Sequence, residues 1–449
     1  MPTVERDVPS GPTTTSEEFS ARIFGASGPA AGSGLELAPF RGVRFDPAVV
    51  GDLASVTTPP YDLIDDAERR RLLSEGGHNF VRLILPGQPG GGYREAGETL
   101  RRWLAEGVLT VDAEPALYVY EAADRHTVRQ RGLVGAVGLR AESEGVILPH
   151  EDVYPGPVQD RLALMSEADA NLEPIFLIHQ GGGDAARIVD ETAEAAPLME
   201  FPASDGLVHR LWRITDRPLL DRIAADLRGR QALIADGHHR YATYRTLQAR
   251  HHRSGDGDGP WDHGLALLVD ATRYPPRLGA IHRVLPGLPP QRALEQAKSV
   301  MQVAALPGSL PDALRALADV SDRPAFLLGG GDGLYLLTDP DPERLAAAMP
   351  ADRSARWRRL DTAVLDHLLL AGVWGVPENE SSVEVVHDDP AAALARARRF
   401  GGSAVILNPM RVEDVLAVAG GGERVPRKST SFGPKPRMGM VFRLLTPPT

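Results

Sequence analysis

Residues 231–253 read QALIADGHHRYATYRTLQARHHR. The apolar run 231–235 is long enough for a buried strand, and Asp236-Gly237 is a turn signal. From residue 238 onward, aromatic and apolar side chains recur every three or four positions, which is the spacing of one helix face. This stretch therefore predicts a strand, a tight turn and a helix, and the rest of the chain is interpreted around that unit.

The junction between this strand and helix carries the polar residues that indicate a function. A helix start offers unpaired N–H groups and a partial positive charge, and His238, His239 and Arg240 beside Gly237 favour an anion, above all phosphate. Asp236 does not suit an anion site, so we expect it to bind Mg²⁺, to orient a histidine or to act as a base. The alternative is that Asp236 only caps the helix and the histidines are surface residues.

Composition excludes several classes of protein. The chain has 449 residues, 43% of them hydrophobic, a net charge of −11 and no cysteine. Disulfides, thiolate nucleophiles and cysteine-ligated zinc are therefore excluded. The negative charge argues against nucleic-acid binding by bulk electrostatics. No 18-residue apolar run and no secretory signal are apparent, so we expect a cytoplasmic protein without a membrane span, and the oligomeric state is left open.

Two segments before residue 90 contribute candidate residues. Two prolines at 59–60 hold the backbone extended and set the direction of Tyr61 and Asp62, although this segment also fits a plain loop before a helix. The apolar run within residues 78–86 predicts a strand. The pocket candidates in that run are His78, Asn79 and Arg82.

A second acidic candidate follows the strand-like residues 147–149. His150 and Glu151 come directly after them, without the spacing of a zinc protease, so acid/base work is the better interpretation for Glu151. An exposed pair at a strand end is the alternative. A helix is predicted from residue 160 to about residue 171. The pocket candidates there are Asp160, Arg161 and Asn171.

The last basic segment, RKSTSFGPKPR at 427–437, combines four cations with hydroxyl groups. Such a combination suggests a second arm that binds phosphate or carboxylate, while a solvated basic turn is the alternative. The binding candidates in this arm are Lys428, Ser429, Thr430 and Lys435.

The predicted fold class is α/β or α+β, with a mixed sheet and flanking helices. Residues 1–34 have the composition of a disordered tail. We expect a core at 35–285 that carries the junction site, and a C-terminal α/β subdomain at 286–449 whose basic arm returns to that site.

Taken together, these motifs resemble the domain-of-unknown-function family numbered 1015, from about Leu35 to Leu445. Several separate motifs in the right order make the resemblance specific, although the family name carries little biochemistry. Its residues are Pro59-Pro60-Tyr61-Asp62, His78-Asn79 with Arg82, Pro149-His150-Glu151, Asp160-Arg161-Leu162, Ala170-Asn171, Ile234 to Tyr241, Lys428-Ser429-Thr430 and Pro434-Lys435-Pro436.

The DGHHR element at 236–240 also resembles the nucleotide-binding motif of the ParB/sulfiredoxin-like superfamily, especially its free-serine kinases. This resemblance implies a ParB/sulfiredoxin-like core in which the element binds nucleotide phosphates and an acid elsewhere activates a hydroxyl acceptor. The chain departs from the family numbered 1015 at Gln159, where a lysine is common, and at Ser431 and Gly433, where aromatic residues are common. These changes put substrate or phosphate contacts in doubt.

We therefore predict a small-molecule phosphotransferase, perhaps acting on serine, with ATP, ADP or pyrophosphate as donor and Mg²⁺ bridging donor oxygens. Glu151 is the preferred base and Asp62 the second choice, while Asp236 would hold the metal or orient a histidine. The expected partners are a small-molecule substrate and a phosphate donor. A nucleotide-binding switch protein of ParB-like type and a nucleotide or phosphoester hydrolase remain alternatives.

Overall fold

The computed structural model describes residues 34–87, 91–377, 382–419 and 421–446, so the predicted tail lies almost entirely outside the described residues. It is an α/β structure built on mixed and antiparallel sheets, which confirms the predicted fold class. The strands are β1 Leu37–Ala38, β2 Gly42–Phe45, β3 Leu109–Val111, β4 Leu117–Ala123, β5 Val128–Gly138, β6 Ile147–Leu148, β7 Ala170–Asn171, β8 Ile175–His179, β9 Met199–Pro202, β10 Val208–Ile214, β11 Ala232–Asp236, β12 His263–Asp270, β13 Arg277–Gly279, β14 Ile281–Leu285, β15 Gln302–Leu306, β16 Phe326–Gly329, β17 Leu334–Thr338, β18 Glu384–His387, β19 Ser403–Leu407, β20 Ser431–Gly433 and β21 Phe442–Leu444.

The helices surround these sheets, and a π-helix at Leu365–Trp374 continues one of them. Short 3₁₀ turns lie at Tyr61–Leu63, Glu142–Glu144, Pro260–Asp262 and Trp357–Arg359. The α-helices are α1 Pro47–Val50, α2 Leu53–Val56, α3 Asp66–Glu75, α4 Val81–Ile84, α5 Tyr93–Ala105, α6 Pro155–Ala168, α7 Gly183–Thr192, α8 Arg217–Leu227, α9 His238–Ser254, α10 Pro290–Ala297, α11 Leu310–Ala318, α12 Pro342–Ala348, α13 Asp361–Val364, α14 Pro390–Phe400 and α15 Val412–Ala419.

The larger sheet has nine strands in the order β6-β11-β8-β12-β5-β4-β10-β9, with β1 paired to β5. The β6–β11 and β8–β12 pairs are parallel and the others antiparallel, so the sheet is mixed. Alternate residues of one strand face opposite sides. Leu117 and Val119 therefore belong to one core, and Tyr118 and Tyr120 belong to the other. Both faces of this sheet are covered, which explains why its strands have few polar positions.

A second sheet of six strands has the order β15-β17-β16-β19-β14-β18 and is antiparallel in each pair. Its first strand in the chain is β14, so the boundary predicted after Leu285 falls at the end of that strand. The hairpin β16–β17 surrounds the glycine cluster at 329–333, which is the turn that flanking strands predict.

The end of the chain returns to the first half of the molecule. Strand β21 pairs with β2 and β7, and β20 pairs with β13. The segment that contains β20, residues 426–437, is here called the C-terminal arm. Its backbone is held in place because β20 pairs with β13, and because β21, which follows the arm, pairs with β2 and β7.

The central strand-turn-helix unit forms as predicted, with β11 followed by Gly237 and helix α9. Pairing between β11 and β8 shifts register between Ile234 and Asp236, which is a bulge that leaves Ala235 without a partner position and pairs Asp236 with Phe176. Gly237 has a φ of 91°, and a Cβ there would lie 3.1 Å from the side chain of Ile175. Glycine is therefore required at this tight turn.

Two predicted elements differ from the structure. The expected strand at 78–86 is wrong, because Asn79 Oδ1 accepts from the Val81 N–H at 2.9 Å and starts the short buried helix α4. A continuous apolar run does not distinguish a buried strand from a buried helix. The helix predicted at 160–171 instead spans Pro155–Ala168, with proline in its first turn, and Asn171 lies in β7.

No helix in the described part of the chain is both long enough and apolar enough to cross a bilayer.

Replacing Phe442 by alanine tests the return of the chain end. Phe442 is fully buried, with its ring centroid 5.3 Å from that of Phe80. We expect Phe442→Ala to lower the free energy of unfolding by about 3–5 kcal/mol, measured by urea denaturation. Phe400→Ala is the matched control, because Phe400 is 47% exposed, and we expect a loss below about 1 kcal/mol. Equal losses in the two variants would contradict the buried position of β21.

Candidate functional site

The start of helix α9 forms one wall of a small pocket of about 50 Å³, here called the central pocket. Gly237 is the N-cap residue and no side chain caps the helix, so the first N–H groups are available to a ligand. The pocket is lined by Tyr61, Asp62, Glu151, Asp152, Tyr154, Ala235, Asp236, Gly237, His238, His239, Arg240, Ile281, His387, Arg427, Lys428, Thr430 and Lys435.

Lys435 joins two carboxylates at the base of this pocket. Its Nζ lies 2.8 Å from Asp62 Oδ2 and 2.6 Å from Asp236 Oδ1. Burial opposes ionisation of Asp62, but Lys435, Lys428 and Arg240 outweigh it and hold the pKa of Asp62 well below its usual range. Burial also disfavours the ammonium group, yet Asp236 and Asp62 raise the pKa of Lys435. Asp62 and Lys435 therefore both stay charged at neutral pH.

Arg240 lies beneath the pocket and has structural partners. Its Nη2 donates to Asp236 Oδ2, and its Nη1 donates to the carbonyl oxygen of Pro174. The side chain is 4% exposed. These contacts place Arg240 as the residue that orients Asp236, where the sequence predicts a phosphate ligand. Its Nε is buried and has no hydrogen-bond partner among the described residues.

His238 and His239 hold the neighbouring loop by its backbone. His239 Nε2 accepts from the Tyr154 N–H at 2.9 Å, and His238 Nε2 accepts from the His150 N–H at 3.3 Å. Burial, then the charge of Lys428, lowers the pKa of His239 to about 4. Burial also lowers the pKa of His238 well below its usual value. Both rings are therefore neutral at pH 7, with the proton on Nδ1, so the pair contributes donors rather than the cations that the sequence suggests.

Glu151 connects this loop to the C-terminal arm. Its Oε1 accepts from the Ser429 N–H at 3.2 Å, the Thr430 N–H at 2.9 Å and the Thr430 hydroxyl at 2.7 Å. His150 Nε2 lies 2.7 Å from the same hydroxyl oxygen, whose single proton points to Glu151, so His150 donates. Ser429 and His150 are buried just behind the pocket wall. The arm thus brings two backbone N–H groups and the Thr430 hydroxyl to Glu151, while the Ser429 hydroxyl contacts Thr362 and the Pro426 carbonyl oxygen.

Lys428 occupies an unusual backbone position in the arm. Its φ is 56°, in the left-handed region that non-glycine residues rarely adopt. Buried Arg283 supports this conformation, since its Nη2 donates to the Lys428 carbonyl oxygen at 3.0 Å. Within the described chain, no carboxylate lies within ion-pair distance of Lys428 or of Arg427. Both cations are therefore available to an anionic ligand.

Asp236 does not fit the predicted magnesium ligand, because cations engage both of its carboxylate oxygens. Asp62 Oδ1, in contrast, is buried and accepts no hydrogen bond from the described residues. This carboxylate oxygen is therefore available to a cation or to a substrate donor.

Three candidates from the misassigned strand lie outside the pocket and have structural roles. The ring of His78 packs against Trp103 with centroids 5.5 Å apart. Asn79 donates to a carbonyl of helix α2 at 2.7 Å. Arg82 donates to the carbonyl oxygen of Leu73 at 3.0 Å.

The candidates of helix α6 lie behind the pocket, whereas the candidate of strand β7 does not. Arg161 pairs with Asp160 and lies over the ring of Tyr61, 4.4 Å from its centroid. Burial raises the pKa of Tyr61, so its hydroxyl stays protonated. Asn171 accepts from Arg443 at 3.0 Å, away from the central pocket.

Several residues of the central pocket were not predicted from the sequence. Tyr154 follows Glu151 by three positions, and Arg427 adjoins Lys428 in the basic segment, so proximity to named motifs was an available signal. His387 ends β18 and has no motif of its own. Burial, then Lys435, lowers the pKa of His387 to about 4, so its ring is neutral.

Comparisons with known proteins give one broad match. The family model described as "Protein of unknown function (DUF1015)" matches residues 37–363, and no curated protein matches the chain. A conserved hypothetical protein from Pyrococcus furiosus is 14% identical, with 64% of this chain and 87% of that chain covered and a TM-score of 0.32.

Two further solved structures show the same degree of likeness. A free serine kinase in complex with AMP is 14% identical, with 64% and 83% coverage and a TM-score of 0.33. SbnI with a C-terminal truncation, from Staphylococcus aureus, is 13% identical, with 67% and 82% coverage and a TM-score of 0.33. At these TM-scores the likenesses support no conclusion about activity.

Removing the ammonium group of Lys435 leaves two buried carboxylates facing each other. We expect Lys435→Met to lower the free energy of unfolding by about 3–5 kcal/mol, measured by urea denaturation. Lys298→Met is the matched control, because Lys298 is half exposed and forms a surface pair with Glu295, and it should change stability by less than about 0.5 kcal/mol. A Lys435→Met variant as stable as the control would show that the cluster does not hold the site together.

His239 makes stability depend on pH. Between pH about 6.5 and about 4, an unfolded histidine binds a proton that folded His239 does not. The free energy of unfolding therefore falls as pH falls through this window, by about 1.4 kcal/mol per pH unit for each such histidine. We expect His239→Gln, which can still accept from the Tyr154 N–H, to make this dependence shallower. Exposed His126→Gln is the control, and a wild-type slope in His239→Gln would refute the assignment.

Proposed function

Because the chain belongs to the DUF1015 family, whose description names no activity, we propose a function from the central pocket itself: transfer of a phosphoryl group to the hydroxyl of a small metabolite. One observation carries this proposal. The uncapped start of helix α9, the ammonium group of Lys428, which pairs with no carboxylate among the described residues, and the oriented carboxylate of Glu151 line a single small pocket. These are an anion site and a proton acceptor beside each other.

The phosphoryl group would bind at the start of helix α9. The N–H groups of the first turn and the Nδ1–H of neutral His239 donate to its oxygens, and Lys428 supplies a full positive charge. The His239 ring is fixed before a ligand arrives by the Tyr154 backbone, and Arg283 fixes the backbone from which the Lys428 side chain extends. Such preorganised donors stabilise the charge that develops on the transferred group.

Glu151 is the better of the two candidate bases. The pKa of Asp62 is held far below its usual range, so Asp62 is a weak proton acceptor. Glu151 is oriented through Oε1 by the arm, which leaves its second oxygen to the acceptor hydroxyl. In the proposed step the hydroxyl proton moves to Glu151, the acceptor oxygen forms a bond to phosphorus, and the bridging P–O electron pair leaves with the donor.

The donor would be ATP, ADP or pyrophosphate. A magnesium ion bound with such a donor would neutralise charge on the phosphate oxygens. Asp62, rather than Asp236, is the carboxylate that fits as a protein ligand of this ion. Asp236 and Lys435 would then position Asp62 and the start of helix α9.

Donor binding is tested first, by thermal shift with ATP, ADP and pyrophosphate, each with and without Mg²⁺. A ligand at 100 times its Kd stabilises the folded state by about 2.7 kcal/mol, which is readily measured. We expect Lys428→Met to lose the shift and Lys298→Met to keep it. The second step follows ³¹P transfer to small alcohols, with serine first. Glu151→Gln, whose amide oxygen can still accept from the arm, should bind the donor normally and transfer about 10²- to 10⁴-fold more slowly.

Two outcomes would count against the proposal. Absence of a shift with every donor would remove the phosphate site, and wild-type transfer by Glu151→Gln would remove Glu151 from the role of base.

A further inference from the structure

A larger cavity of about 580 Å³ adjoins the central pocket and shares Tyr154, Arg427 and Lys428 with it. Its walls come from both halves of the chain, namely the start of helix α3, the end of helix α14 and strand β18. Arg396 of α14 pairs with Asp65 beside α3 at 2.7 Å, across one side of the cavity. We call this space the arginine-lined cavity.

Its charge is opposite to that of the whole chain. The net charge of the protein is −11, yet six cations and four carboxylates line this cavity. Two of the cations have structural partners, since Arg396 pairs with Asp65 and Arg283 donates to backbone carbonyls. The remaining cations are Arg70, Arg399, Arg427 and Lys428.

None of those four cations has a carboxylate within ion-pair distance in the part of the chain that the structure describes. Arg70 and Arg399 lie on helices α3 and α14, and both are exposed. Unpaired arginines that line one concave space from separate helices repel each other unless an anion lies between them. The cavity therefore fits a ligand that carries negative charge away from the central pocket.

A stack of side chains connects the cavity to the start of helix α9. Arg427 lies over the ring of Tyr154, 4.1 Å from its centroid, and the Tyr154 ring lies parallel to that of His239 at 6.2 Å. Arg427 is thus positioned at the passage between the two spaces. One ligand can contact both Lys428 in the central pocket and the cations beyond.

The composition of the cavity decides what kind of ligand fits. A nucleoside prefers apolar and aromatic walls around its base. Here ten of the sixteen lining residues are charged, and Phe400, Leu370 and Val383 are among the few large apolar ones. The cavity suits a short, strongly polar metabolite better than a nucleoside.

We infer that the acceptor of the proposed phosphoryl transfer carries a second anionic group, carboxylate or phosphate, which binds Arg70 and Arg399 in the arginine-lined cavity. This inference rests on the proposed function and adds the chemical class of its substrate. The hydroxyl would enter the central pocket beside Glu151 while the second anion holds the molecule from the cavity side.

Two matched probes of product type test the inference by isothermal titration calorimetry on the full chain. Glycerol 3-phosphate and 3-phosphoglycerate share a phosphoryl group and a carbon chain, and differ in a terminal hydroxymethyl or carboxylate. We expect the carboxylate to improve the Kd by about tenfold, which corresponds to about 1.4 kcal/mol. Arg70→Ala/Arg399→Ala should abolish this preference and leave the affinity for glycerol 3-phosphate unchanged.

The control is Arg94→Ala/Arg398→Ala, which removes the same charge from exposed positions outside the cavity and should keep the preference. If wild type binds both probes equally, or if both double variants behave alike, the inference is wrong and the phosphate site stands. If wild type binds neither probe, the phosphate site itself is absent and the proposed function fails with the inference.

Discussion

The cluster of Asp62, Lys435 and Asp236 is the interaction on which the site depends. It joins three segments that are far apart in sequence, at the start, the middle and the end of the described chain. At an effective dielectric constant of about 20, each pair contributes roughly 6 kcal/mol of attraction, while burying each ion costs several kcal/mol. The two effects largely cancel, so we infer that the cluster adds positional precision more than net stability.

Around this cluster, polar side chains form hydrogen bonds with backbone groups of the neighbouring loops. His238 and His239 accept from the 150–154 loop, Glu151 accepts from the arm, and Arg283 donates to the arm's carbonyls. Each contact ties a loop to a regular element, so the loops that carry the ligand-binding groups have little freedom. This arrangement explains how a site made largely of loops can present donors with fixed geometry.

The sequence predicts the central unit and the α/β class well, because apolar periodicity and the Asp-Gly turn are local signals. It also groups Glu151, Asp62 and Lys428 as candidates, and the structure brings them into one pocket. The prediction of a strand at 78–86 is wrong because the short helix that forms there is buried and has no polar face that would show helical periodicity in the sequence.

The roles of some charged residues could not be read from sequence for a different reason. Arginine is a residue type that commonly binds phosphate, but tertiary packing gives Arg240 other partners, namely Asp236 and the Pro174 carbonyl oxygen. The protonation of His239 likewise depends on burial and on Lys428, which is 189 positions away. His387 lines the pocket from the second sheet, and no local sequence pattern predicts this position.

The distribution of charge separates an inner layer from an outer one. Inside, Lys435 and Arg240 are balanced by Asp62 and Asp236, and the histidines are neutral, so this layer adds little net charge to attract a ligand. Outside, Arg427 and Lys428 have no such balance, and the cations of the neighbouring cavity extend the same positive field. The inner layer therefore determines the shape of the pocket, and the outer layer attracts and selects the anion. Because the outer layer consists of long side chains, substitutions there can change the bound anion without disturbing the fold.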